Sequence, residues 1–139
     1  MGKRREAREA ALQFLFGHDL NDELALEEKE AFWELRPAAD AVMSFSSELI
    51  AGVLERRGEI DACLKAASEN WELGRISAVD RNILRVAIYE IHYRDDIPPA
   101  VSINEAIEIA KRFGAENSGR FVNGILDRIR KDLEKTSTG

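Results

Sequence analysis

The stretch from Pro98 to Leu126, PPAVSINEAIEIAKRFGAENSGRFVNGIL, constrains the fold more tightly than any other part of the chain. Pro98 and Pro99 end whatever precedes them, since proline lacks the amide N–H of a continuing helix and restricts the residue before it. Ser102 stands three residues before Glu105. That is the spacing of a capping box, in which the hydroxyl accepts from the N3 amide and the carboxylate reaches back to the cap's N–H. Ile103, Ala106, Ile107, Ala110 and Phe113 then share one helical face. Gly114 occupies the place where a left-handed C′ residue would close that helix. Asn117 or Ser118 can cap a following helix, whose buried face reads Phe121, Val122, Ile125, Leu126 and Ile129. The pattern predicts a helical hairpin and leaves no place for a strand.

The rest of the chain reads as helices too. The first runs from about Lys3 to His18, with Ala7, Ala10, Ala11, Phe14 and Leu15 inward, and Gly17 and Asn21-Asp22 mark its exit. A second, about Glu23 to Leu35, buries Leu24, Ala31, Phe32 and Leu35, and its Glu27-Glu28-Lys29-Glu30 run reads as a wet face. Trp33 reads either as an exposed contact residue or, more commonly for tryptophan, as a cover over the core. Pro37 starts a third at N1, extending to about Arg57 and ended by Gly58. The fourth covers about Glu59 to Ser68. Trp71, Leu73, Gly74 and Ile76 form an apolar connector. Ser77 and Asp80 form a second capping box. They open a helix so apolar (Ile83, Leu84, Val86, Ala87, Ile88, Ile91) that it belongs at the centre of the C-terminal half. Arg81 and Arg85 share its narrow polar stripe, where ion pairs to neighbouring helices are the simplest use for them. Residues 136–139 read as a disordered tail.

At 139 residues the chain suits one domain with a sizeable core. The expected architecture is all-α, about seven helices in two small bundles, one to about residue 68 and one from 69 to 135, packed as a single unit. A lone cysteine, Cys63, on an apolar face is a structural thiol and fits a reducing, cytoplasmic compartment. No apolar run is long enough to span a membrane. No metal-type spacing, phosphate loop or nucleophile elbow is present, so neither an enzyme nor a cofactor site is expected. His18 and His92 are isolated and read as packing or surface histidines.

What remains points to recognition. The net charge is −6, yet Lys3, Arg4, Arg5 and Arg8 crowd the first turns of the first helix. Cations there oppose the helix macrodipole, and Arg4 and Arg8 repel at i, i+4. A cluster that costs local stability is explained by an anionic ligand such as RNA phosphates, or by a solvated N-terminus with incidental arginines. The corner Glu116-Asn117-Ser118-Gly119-Arg120-Phe121 offers amides, a hydroxyl, a guanidinium and a ring, the groups that hold single-stranded RNA. It can equally be an ordinary cap with Phe121 in the core, which the periodicity favours.

VSINEAIEIAKRFGAENSGRFVNGILD resembles the C-terminal half of the NusB family of transcription antitermination factors. DRNILRVAIYE at positions 80–90 and REAREAALQ at 5–13 fit the same family. The resemblance implies an all-α fold and binding of boxA RNA in a heterodimer with NusE, a small-subunit ribosomal protein. It also implies a place in the RNA polymerase antitermination complex that reads through termination sites, notably in ribosomal RNA operons. It assigns RNA contacts to Lys3, Arg4, Arg5, Arg8, Asn117, Arg120 and Phe121, and the NusE contact to Phe16, Asp80, Arg81 and Arg85. Phe16 stands where a tyrosine is common, which removes a hydroxyl. Two alternatives accompany this reading: an RNA-guiding domain like those of RNA cytosine methyltransferases, and a homodimeric protein–protein adaptor.

Overall fold

The computed structural model describes residues 2–20, 26–68 and 76–138. Among them the elements are α1 (Lys3–Leu20), α2 (Leu26–Leu35), α3 (Asp40–Glu55), α4 (Arg57–Ala67), α5 (Ala78–Tyr93), α6 (Pro99–Phe113) and α7 (Ser118–Thr138). The described residues are all-α, as the sequence predicts. Asn21, Asp22, Leu24, Trp71, Leu73 and Gly74 lie outside them.

The Ser77 hydroxyl starts α5 by accepting the Asp80 N–H at 3.1 Å, satisfying one of the orphan donors of a helix start. This helix packs against α1, α3, α4, α6 and α7. It is buried nearly all round because every side meets another helix: Ile83, Leu84, Val86, Ala87, Ile88 and Ile91 all lie inside. A single apolar cluster runs from Ala7 in α1 through Leu49 and Ile50 in α3 and Leu64 in α4 to Val122 and Leu126 in α7. Each fully buried Leu or Ile contributes roughly 1.5–3 kcal/mol. α3 and α5 come closest at Gly52, where an added Cβ would lie 2.1 Å from Cζ of Tyr89.

Several local expectations are corrected. Ser102 does not cap α6. Pro98 is the N-cap residue, extended at φ −60°, ψ 137°, and Pro99 opens the helix, because an N1 proline is preset for helical φ and its missing N–H would have been an orphan anyway. Ser102 therefore lies within the helix, buried, and donates to Glu90 Oε1 at 2.7 Å. Gly114 is not left-handed, with φ −91° and ψ −173°. Glycine is needed there for space: a Cβ would fall 2.4 Å from Ser118 Oγ.

Gly17 does not end α1, which continues to Leu20 and so delivers Asp19 to a group of arginines. Pro37 lies outside α3, whose N-cap is Ala39. The α3/α4 break falls at Arg56, and Gly58 sits inside α4. In α2, Leu35 is 89% exposed and Ala31 is exposed. The helix attaches through Phe32, edge-on to Phe14 at 5.5 Å, with half-buried Trp33 edge-on to Phe32. At the other end α7 extends to Thr138, past the point where a tail was expected.

Candidate nucleic-acid interface

The basic cluster of α1 divides once the chain folds. Lys3 and Arg4 stay exposed. The Arg4 guanidinium lies over the Phe45 ring of α3, 4.5 Å from its centroid, a contact worth about 0.5–1 kcal/mol at an accessible site. Arg94, at the end of α5, approaches the same ring at 5.4 Å and is forked onto Asp96 at 2.9 and 3.0 Å. Arg5 is partly exposed and forked onto Glu105 of α6, with Nε to Oε1 at 3.1 Å and an Nη to Oε2 at 2.5 Å.

Arg8 is inside the protein, 4% exposed. It donates to both oxygens of Glu90 at 2.7 and 2.8 Å, and its other Nη lies 3.5 Å from Glu105. The expectation that Arg8 belongs to an open basic surface is therefore corrected: its charge is compensated within the fold, by a carboxylate of α5 that also holds Ser102. Hydrogen bonding to Arg5, above all, holds the Glu105 carboxyl below its ordinary range against the opposing effect of burial. Further along, Arg112 of α6 meets buried Glu9 at 2.9 and 3.0 Å.

These pairs fix how α1 lies on α6. Arg5 meets Glu105 toward the N-terminal half of α6 and Glu9 meets Arg112 near its end. The corner at Asn117 follows that end, whereas Lys3 and Arg4 precede Arg5 by two residues and one residue in α1. At 1.5 Å per residue, the stretch of α6 from Glu105 to Phe113 puts roughly 12 Å between the Arg5 fork and the start of the corner. Between the two groups runs a strip along α6 held by the Arg5–Glu105 and Glu9–Arg112 pairs. At the corner, Asn117 and Arg120 are exposed and Phe121 is half-buried against the core. Ser118 Oγ accepts the Ala115 N–H at 2.8 Å and donates to Asp80 Oδ2 at 3.0 Å. This ties the start of α7 to the start of α5. Asp80 thus faces Ser118 and does not complete a capping box.

Of the residues assigned to a protein partner, Arg81 and Arg85 sit around Asp19. Arg57, Arg81, Asn82 and Arg85 all donate to its carboxylate, at 3.0, 3.2, 2.9 and 2.9 Å for their closest contacts. Burial alone would raise the Asp19 pKa, but hydrogen bonding from Asn82 and the charge and hydrogen bond of Arg85 outweigh it, and the carboxyl titrates below its ordinary range. Arg85 is also forked onto Asp61 at 2.8 and 3.0 Å. Asp80 and Arg85 are buried, so their expected place on an open partner face is corrected. Phe16 and Arg81 are half-buried.

Sequence reasoning missed Glu90 and Asp19 and read Glu105 only as half of a capping box. A signal existed for the first: a lone acid in the apolar run ILRVAIYEI requires a buried cation. Cys63 Sγ lies 3.8 Å from His92 Nε2, so neither is isolated. Burial, aided by Asp132, pushes the thiol pKa up, as a structural cysteine requires. No metal cluster occurs among the described residues, and none of their helices is long and apolar enough to cross a membrane.

Comparisons with known proteins agree on one family. The NusB family model matches residues 5–131. The transcription antitermination protein NusB of Geobacter sulfurreducens is 49% identical, covering 96% of this chain and 97% of its own. That of Myxococcus xanthus is 46% identical, covering 97% and 99%. NusB of T. maritima superposes with a TM-score of 0.82 at 43% identity, over 92% of this chain and 90% of that one. The NusB chain of a crystal structure of antitermination factors NusB and NusE with dsRNA gives 0.85 at 25% identity, over 95% and 98%. A match of this extent, on a fold of the same helices, makes the chain a member of the NusB family.

Proposed function

We propose that this chain is a transcription antitermination factor that binds boxA RNA together with NusE and promotes read-through by RNA polymerase. The observation that carries the reading is the division of α1: Arg8 is clamped between Glu90 and Glu105, while Lys3 and Arg4 stay exposed at the end of the clamped helix, with no carboxylate fork among the described residues. A basic helix end fixed in place this way suits phosphate binding, because little side-chain and helix ordering is left to be done on association.

In this mechanism Lys3, Arg4 and Arg5 neutralise phosphates at one end of the strip, and Asn117 and Arg120 engage the RNA at the other. Arg8 is a positioning residue. Phe121 supports the corner from its core side. Phe16 and Arg81 supply the NusE-facing edge, and Asp80 and Arg85 hold that edge from behind. The relatives' shared name and the NusB–NusE–dsRNA neighbour support the same reading. The chemistry is association only.

The test is anisotropy of a labelled boxA RNA titrated with the protein, with and without NusE, against a scrambled RNA. Preferential binding of boxA that tightens with NusE is expected. Equal, weak binding of both RNAs in both conditions would refute the proposal.

A further inference from the structure

Resting on this reading of α1, we propose that Glu105 gates the RNA face: it holds the Arg5 guanidinium in the free protein and gives it up to an RNA phosphate on binding, with Arg8 remaining behind as its counter-ion. A carboxylate fork and a phosphate present the same paired acceptors to a guanidinium. Arg5 therefore exchanges one for the other without changing its hydrogen-bond geometry.

The two arginines on Glu105 differ in freedom. The Arg5 and Glu105 side chains are 26% and 17% exposed, against 4% and 1% for Arg8 and Glu90. Arg5 stands at the rim and can swing outward. Arg8 is locked by both oxygens of Glu90, which Ser102 also holds. A buried carboxylate stripped of its only cation would make such an exchange costly. Here Arg8, 3.5 Å away, stays with Glu105 after Arg5 departs. The carboxylate thus weakens binding to any polyanion and yields only where a phosphate replaces it well, which makes Glu105 a specificity-determining residue.

The experiment compares Glu105→Gln, Arg5→Ala and the double variant with the parent chain. It uses anisotropy of labelled boxA RNA over a range of KCl concentrations, with a thermal melt of each protein. Glu105→Gln is expected to bind roughly threefold more tightly, in line with a partly exposed ion pair, with the log–log salt slope of the parent chain, because Arg5 reaches the phosphate in both. The double variant should lose that gain. If Arg5→Ala weakens binding while Glu105→Gln leaves it unchanged or weaker, Glu105 is a scaffold and the gate is refuted, though the RNA reading stands. If Arg5→Ala has no effect, Arg5 does not touch RNA and the gate falls, while the RNA reading stands or falls with preferential binding of boxA by the parent chain.

Should Glu105→Gln melt early, the parent chain decides by carbon NMR titration of the Glu105 carboxyl. With RNA bound its pKa should move up toward the ordinary value. A pKa that RNA leaves unchanged would overturn the proposal.

Discussion

Replacing Glu90 with alanine tests the clamp most directly. The Glu90 carboxylate accepts from Arg8 at 2.7 and 2.8 Å and from Ser102 at 2.7 Å, with 1% of its side chain exposed. Its removal leaves a guanidinium buried with Glu105 as its only nearby carboxylate, 3.5 Å away and already forked by Arg5. Breaking one side of a buried ion pair costs about 3–5 kcal/mol, a large fraction of the ~5–15 kcal/mol that holds a domain together. With a urea m-value near ~2 kcal/mol/M, the unfolding midpoint should fall by roughly 1.5–2.5 M. The thermal midpoint should fall by about 10–20 °C. Urea titration followed by circular dichroism reads both the midpoint and m. The Arg8→Met/Glu90→Gln double variant, which buries no unpaired charge and keeps an acceptor for Ser102, should lose clearly less. A Glu90→Ala loss below about 1 kcal/mol, or a double variant no better than the single, would refute the clamp.

The other predictions concern binding, pH and packing. Lys3→Ala/Arg4→Ala should leave the melting temperature nearly unchanged but reduce the salt slope of RNA binding by about 1.4, or ~0.7 per lost contact; an unchanged slope would take these residues off the RNA face. The Asp19 pKa is depressed in the folded state, so its contribution is present above the unfolded value near ~4 and is lost as pH falls through the folded one. The stability gap between the parent and Asp19→Asn should accordingly be full at neutral pH and close below about pH 4 in urea titrations; a gap constant down to pH 2 would contradict this. Gly52→Ala should cost about 1–3 kcal/mol through its clash with Tyr89, and Tyr89→Leu in the same chain should recover part of it; a neutral Gly52→Ala would mean that α3 and α5 lie further apart.

Much of the architecture could be read in advance because it is written locally. Ser77 caps α5 as its spacing predicts, and the unbroken apolar run after it identifies the helix that every side of the core meets. Arg81 and Arg85 fall into ion pairs with neighbouring helices, the simplest of their readings, and Phe121 packs inward as its periodicity requires. The errors share a physical cause. Ser102 and Glu105 satisfy a local capping rule, but Pro99 starts the helix earlier and both side chains serve partners far along the chain. Arg8 looks like its exposed neighbours until Glu90 is brought beside it, and no window of a few residues contains that pairing. Leu35 suited an inward face, yet among the described side chains α2 turns Phe32 toward Phe14 and leaves the leucine in water. The candidate site was thus legible as a set of residue types, whereas its division into exposed, forked and buried arginines was a property of the assembled fold.

The carboxylate partners of α1 have a bearing on the order of events at the ribosome. α1 is made first, but Glu90 lies 82 residues after Arg8 and Glu105 lies 100 residues after Arg5. At synthesis rates of about 5–20 residues per second, the helix waits roughly 5–20 s for the groups that neutralise and orient its arginines. Throughout that interval its Lys3, Arg4, Arg5 and Arg8 are offset only by Glu6, Glu9 and Asp19 of the same helix, and the four cations oppose the helix dipole. The finished basic strip can exist only after α6 has been made, so the recognition face is acquired about 100 residues after the first of its arginines is synthesised.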